Sequence, residues 1–239
     1  MIVKGGFTTY GEPIGILMLE TKFARPVGDI GNARTFDFPV RYRVVRGASP
    51  DRVVRERDES LIEPFIRAAR ELQDTGVRAI TTSCGFLALF QKQIASALDV
   101  PFFSSSLMQL PLVWHMVGQK GKIGVLTVRK ESLTADHFRA VGAEDVPLAV
   151  EGMDRSEEFS RVFMNCSLTV SDRSLDLDFG KAAAEIRQAA VRMREKEPQL
   201  RAVVLECTNI PPFRGEVEAA VQLPVFDIVT LTKFVNSSL

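Results

Sequence analysis

Tryptophan occurs once in this chain, histidine twice and cysteine three times, and neither sign of charge is in excess. Each shortage closes a door. With thirty Lys and Arg against thirty Asp and Glu, no net field draws the chain to nucleic acid or to an anionic membrane surface. No run approaches the ~20 apolar residues that span a bilayer. The start, MIVKGGFTTYGEP, also lacks the apolar stretch of a secretory signal, so the expected compartment is the cytoplasm. Three cysteines, Cys84, Cys166 and Cys207, are an odd number at wide spacing, which reads as free thiols rather than a disulfide framework. Two histidines (His115 and His137) and no CxxC leave no metal site to expect. Neither GxGxxG nor GxxxxGK[ST] occurs, so nucleotide use is unsupported, and no cofactor is expected.

What remains is a chain of 239 residues, 46% hydrophobic, in which strand-length apolar runs alternate with amphipathic stretches, the pattern of an α/β fold with parallel sheets. Strands are predicted at 14–19, 41–45, 78–83, 101–103, 121–127 and 201–206. Helices are predicted over 61–74, 86–98, 132–141 and 179–196, with another from about Pro212. Ser60 and Glu63 read as a capping box for the first of these. Gly76 and Gly142 read as helix stops.

The chain also repeats itself. Displaced by 123 residues, Val77–Phe103 aligns without a gap on Leu200–Phe226. Arg78 meets Arg201, Ala79 meets Ala202, Cys84 meets Cys207, and Phe90 meets Phe213. Ala97, Pro101 and Phe103 meet Ala220, Pro224 and Phe226. A weaker echo at an offset of 109 pairs 14–17 (IGIL) with 123–126 (IGVL). The expected architecture is therefore two pseudo-twofold-related, doubly wound halves with parallel four-stranded sheets and an active-site cleft between them. Residues 1–104 plus about 228–239 form the first half and 105–227 the second. Parallel sheets bind ligands beyond the carboxyl ends of their strands. One cysteine from each half would then face the same cleft.

Two thiols on opposite walls suit proton transfer at carbon. One thiolate takes a proton from the carbon next to a carboxylate, and the other thiol returns one to the opposite face. The charge that develops needs fixed donors, for which Thr82, Ser83, Thr208, Asn209 and Ser104–Ser106 are candidates. Thr127, at the end of a central strand, is added to the substrate-binding candidates.

The segment 205–212 (LECTNIPP) resembles the second cysteine motif of the aspartate/glutamate racemase superfamily, Leu-Gly-Cys-Thr-His-x-Pro in glutamate racemases. Segment 80–85 (ITTSCG) is similar to the first. The resemblance implies a racemase or epimerase with Cys84 and Cys207 as catalytic acid/base pair, acting without cofactor on a small carboxylate-bearing substrate. It also implies that Asn32, on the loop after the first strand, contacts the substrate carboxylate. Where the amino-acid racemases carry Asn-Thr after the first cysteine, this chain has Gly85-Phe86. Asn209 stands for the usual histidine, and Glu206 for a glycine. These departures turn the expectation from glutamate toward the substrates of hydantoin racemases, maleate isomerases or arylmalonate decarboxylases. Cis–trans isomerisation and decarboxylation are thus the alternatives, and a two-lobed binding protein without activity is the third. Dimers are common in such a family, so a homodimer is an available partner state.

The remaining candidates have ordinary readings. Cys166 reads as a buried small hydrophobe, His115 as packing and His137 as a solvated helix residue. Asp29 and Asn32 belong equally to a Gly-rich turn. Strand alternation turns Glu206 away from the face of Cys207, which makes a structural ion pair as reasonable as a catalytic part.

Overall fold

The computed structural model describes residue 2 and residues 5–164 and 175–239. The apolar runs form two four-stranded, all-parallel sheets. The first holds β1 (Ile14–Leu19), β2 (Val40–Val45), β3 (Ala79–Thr82) and β4 (Phe102–Phe103), in the order β2-β1-β3-β4. The second holds β5 (Lys122–Thr127), β6 (Leu148–Gly152), β7 (Leu200–Leu205) and β8 (Val225–Phe226), in the order β6-β5-β7-β8. The central strands are buried along their length because helices cover both faces, as parallel sheets require.

The helices are α1 (Ile62–Gln73), α2 (Gln91–Ala95), α3 (Leu110–Met116), α4 (Ala135–Ala140), α5 (Glu157–Phe163), α6 (Phe179–Lys196), α7 (Arg214–Val221) and α8 (Ile228–Asn236). Among the described residues no helix is long and apolar enough to cross a membrane. Ile228 of α8 is buried with Ile14, Ile16, Ala79 and Phe103, so the C-terminal helix packs on the first sheet.

The repeat is kept to the residue. Ile80 and Thr81 pair with Phe102 and Phe103, and 123 residues on Val203 and Val204 pair with Val225 and Phe226. The weaker echo is structural too. A Cβ on Gly15 would meet Leu72, Val77 and Ile80, and one on Gly124 would meet Met193, Leu200 and Val203. Val77 and Ile80 align with Leu200 and Val203, so each glycine lets its central strand approach the same neighbours.

Three local expectations are corrected. Ser60 and Glu63 form no capping box. Asp58 accepts from the Ser60 N–H instead and caps a 3-10 turn over Glu59–Leu61 that leads into α1. The predicted helix over 86–98 is a 3-10 segment, Gly85–Phe90, followed by the short α2. The helix expected over 132–141 is α4 alone, after a separate 3-10 turn at Lys130–Ser132.

Candidate active site between the two halves

β3 and β7 deliver Cys84 and Cys207 just past their last residues, so both thiols emerge at the carboxyl edges of the sheets. Both line one cleft. The loop after β1 supplies Thr21, Phe23 and Arg25, and α5 with its last turn supplies Phe163 and Met164. Pro50 and Val54 close another side. Phe23 and Phe163 meet edge to face at 5.0 Å, joining the halves across the opening.

The halves are bonded to each other at this site. Thr208 Oγ1 donates to the Ser83 carbonyl at 2.6 Å. Asn209 Nδ2 donates to Asp29 Oδ2 at 2.7 Å. Gly28, at φ +104°, lies so close to Pro212 that a Cβ there would come within 2.7 Å of its Cα. Only glycine allows both that backbone angle and that approach.

Of the residues the sequence singled out, Ser83, Cys84, Gly85, Phe86, Cys207, Thr208 and Asn209 line the cleft. Asn32, Thr82 and Thr127 are not part of its wall. The Asn32 amide donates to the Arg25 carbonyl, and its oxygen caps a 3-10 turn at Ala33–Thr35. Thr82 is fully buried, donating to the Ser104 carbonyl at 2.7 Å and accepting from Cys84 N–H. Thr127 is fully buried against Glu206. Ser104, Ser105 and Ser106 lie behind the wall, all buried.

Several wall residues escaped sequence reasoning because they sit outside the repeat. Arg25 is the chief one, the sole cation among the described lining residues. Its guanidinium bonds Asp29 at 2.7 Å and Thr21 at 2.9 Å, and lies 4.5 Å from the centre of the Phe23 ring. The spacing of Arg25 and Asp29 (i, i+4) was the available signal.

The histidine readings are reversed. His115 is exposed and bonds the Pro111 carbonyl at 2.8 Å. His137 is buried, its ring edge-on to Phe86 at 5.3 Å, and Nδ1 is held by Thr134. Burial, with help from the charge of Arg57, lowers its pKa to about 4. Cys166 lies outside the described residues. Glu206 forms no ion pair among the described residues. It is fully buried, lines the cleft, and accepts from Thr127 Oγ1 at 2.6 Å.

Electrostatically the closed cleft resists anions. Burial first, and the carboxylate of Glu206 second, push the Cys84 thiol up to about 12, although the backbone N–H groups of Phe86 and Leu87 favour its thiolate. The same two causes raise Cys207 well above its ordinary range, opposed by the N–H of Asn209 alone. Burial raises Glu206 to about 8, so near neutrality it is a protonated acid. Arg25 is already matched by Asp29. A ligand that ionises a thiol here has to bring positive charge or donors with it.

Solved structures with this arrangement of strands and helices include an arylmalonate decarboxylase, at TM-score 0.57 and 15% identity over 94% of this chain and 92% of that one. The glutamate racemase of Bacillus anthracis matches at TM-score 0.59 and 15% identity, over 95% and 80%. The allantoin racemase of Klebsiella pneumoniae matches at 0.59 and 14%, over 94% and 86%. The chain has the aspartate/glutamate racemase superfamily fold. In sequence the chain is similar to proteins with a different name. A dimethylsulfoniopropionate lyase of Durusdinium sp. clade D is 29% identical over 228 residues, covering 92% of this chain and 73% of that protein. Dimethylsulfoniopropionate lyase 6 of Emiliania huxleyi (strain CCMP1516) is 30% identical over 242 residues, covering 95% and 59%. No family model matches the chain.

Proposed function

We propose that this chain is a thiol-based lyase that removes a proton from the carbon next to a carboxylate and expels a neutral sulfide from the neighbouring carbon. Dimethylsulfoniopropionate is the candidate substrate. Likeness over 92% and 95% of this chain, and over 73% and 59% of theirs, to lyases named for it supports this reading. The observation that carries it is the cleft itself, where two buried thiols share a wall with phenylalanine rings and no spare cation. A sulfonium ion is drawn to aromatic faces. Seated beside a thiol it also lowers that thiol's pKa, supplying the positive charge that the protein withholds.

The step balances without a co-reactant. A thiolate accepts the proton on the carbon next to the carboxylate, and the electron pair of that C–H bond becomes the new carbon–carbon double bond. The adjacent carbon–sulfur bond breaks, its pair leaving on sulfur as dimethyl sulfide, and acrylate remains. The thiol then returns its proton to solvent.

A two-base racemase or epimerase is the second reading, favoured by the convergence of both thiols on one cleft. The fold also hosts decarboxylation in an arylmalonate decarboxylase. One experiment separates these reactions. The full chain is incubated in deuterated water with dimethylsulfoniopropionate, with amino acids and allantoin, and with an arylmalonate. Dimethyl sulfide and acrylate from the first substrate alone are the expected products. Hydrogen exchange at the carbon next to the carboxylate of an amino acid, without elimination from the sulfonium compound, would transfer the assignment to racemisation.

A further inference from the structure

Glu206 and Gly85 come from opposite halves and occupy one another's space. A Cβ added to Gly85 would land on Glu206 Oε1 and on the Glu206 backbone carbonyl. The bare Cα of residue 85, directly after Cys84, is therefore what admits the Glu206 side chain to the cleft. One carboxyl oxygen, Oε2, accepts from Thr127 at 2.6 Å. The other, Oε1, is buried without a hydrogen-bond partner among the described residues, on a side chain that is 0% exposed and lines the same cavity as the two thiols. A buried polar atom without a partner is costly, and one at the wall of a cleft is satisfied by what enters it. Because Oε2 already accepts from Thr127, the proton of the neutral acid belongs on Oε1, which makes the unpartnered atom a donor. A buried O–H donor beside a reacting centre meets an anionic oxygen.

We propose that Glu206 Oε1–H is a substrate-binding group that donates a hydrogen bond to a ligand carboxylate held between Cys84 and Cys207. This deepens the proposed function and rests on its premise that the substrate carries a carboxylate. As proton abstraction moves charge onto that carboxylate, the same bond strengthens, so the group also favours the reaction. The groups facing Glu206 are few. Thr127 approaches from β5, Cys84 from the 3-10 turn, and Cys207 from the same chain segment, with the Arg25–Asp29 pair across the cleft. Both thiols are held above Glu206 in the order of ionisation. Loss of ligand affinity as the solution turns alkaline therefore belongs to Glu206.

Propionate, which has a carboxylate and nothing to eliminate, is the probe. Its dissociation constant is measured by titration calorimetry on the full chain from about pH 6 to about pH 9.5. For the unsubstituted chain it is expected to be level up to the neighbourhood of pH 8 and then to rise toward tenfold per pH unit as Glu206 ionises. Glu206→Gln keeps a donor in place. It is expected to bind within a few-fold at neutral pH and to lose the alkaline rise. Glu206→Leu is expected to weaken binding at least tenfold at pH 7. An identical alkaline rise in Glu206→Gln, or no propionate binding by the unsubstituted chain at any pH, overturns the proposal. Should the leucine variant fail to fold, the glutamine comparison decides alone. A chain that binds propionate in this way yet releases no dimethyl sulfide keeps the role of Glu206 and loses the lyase reading.

Discussion

Phe90 in the first half and Phe213 in the second have nearly the same backbone angles, φ/ψ −103/12° and −107/14°, and each ends a 3-10 segment. The helices that follow begin at Gln91 and Arg214, one repeat apart. Both residues reach for aligned positions, by different chemistry. Gln91 Oε1 accepts from the Ser104 N–H at 2.9 Å, whereas Arg214 donates to Asp227 at 3.3 Å. A few residues upstream, at the cleft, the likeness ends. Cys84 is followed by Gly85-Phe86 and faces two backbone N–H groups. Cys207 is followed by Thr208-Asn209, has one such N–H, and sits 3.9 Å from Asn209 Oδ1, which is tied through its amide to Asp29. The duplicated scaffold fixes where the two sulfurs emerge, and the unduplicated side chains decide how easily each one ionises.

That asymmetry gives the largest expected effect. On the proposed lyase reading, Cys84, whose thiolate has the greater backbone support, is the expected base for elimination. Cys84→Ala is expected to lower kcat for dimethyl sulfide release by about 10²–10⁴-fold, the usual contribution of a positioned general base. Cys207→Ala should cost less, because elimination requires no proton from the second wall. Gas-phase detection of the sulfide under saturating substrate is the measurement. Equal losses in the two variants would break the comparison and point to two-base chemistry instead.

The halves should respond alike where the scaffold is shared. Gly15→Ala places a Cβ 3.0 Å from Leu72 Cδ1, and Gly124→Ala places one 2.6 Å from Met193 Sδ. Both neighbours are buried. Each substitution is expected to lower unfolding free energy by about 1–3 kcal/mol, the common cost of overpacking. Gly124→Ala should stay toward the lower end if the more adaptable methionine shifts. Denaturant midpoints of the two variants test this. A large cost in one half and none in the other would show that the central strands are not equivalent.

These same residues show how far the sequence could be read. The repeat was legible because strand register and the cysteine position tolerate little change. Gapless alignment of Val77–Phe103 on Leu200–Phe226 therefore carried over directly into strand pairing. The 3-10 geometry after Cys84 was not legible, since GFLALF has the same apolar content whether it closes i to i+3 or i to i+4 bonds. Arg25, Phe23 and Phe163 were missed for a different reason. They reach the cleft from loops and from a short helix outside the repeat, where side-chain direction depends on tertiary contacts. Glu206 was left open between an ion pair and a catalytic part because alternation along β7 says nothing about a strand end, where the chain has already turned. The vacancy at Gly85 that receives it comes from the other half.

The smallest effect compares two buried titratable groups, Glu206 at the cleft and His137 behind Phe86. Burial raises the acid to about 8 and lowers the imidazole to about 4. For His137 the folded value lies below its ordinary 6.5, so the unfolded chain binds the proton more readily. Stability tied to the neutral ring is fully present above about pH 6.5 and declines as the pH falls toward 4. Glu206 acts with the opposite sign. Its folded value exceeds its ordinary 4.5, so its contribution is retained in acid and declines as the pH rises through 4.5 toward 8. Thermal midpoints should therefore be nearly level from about pH 4.5 to 6.5, where the two contributions oppose, and fall as the pH rises from 6.5 toward 8. The shift should be several degrees, at about 2–4 °C per kcal/mol for a chain of this size. Glu206→Gln should abolish the alkaline decline and leave stability rising from about pH 4 to 6.5. His137→Asn should remove the opposing acid-side contribution, so that stability declines from about pH 4.5 upward. If the level stretch survived His137→Asn unchanged, the buried imidazole would not be its source.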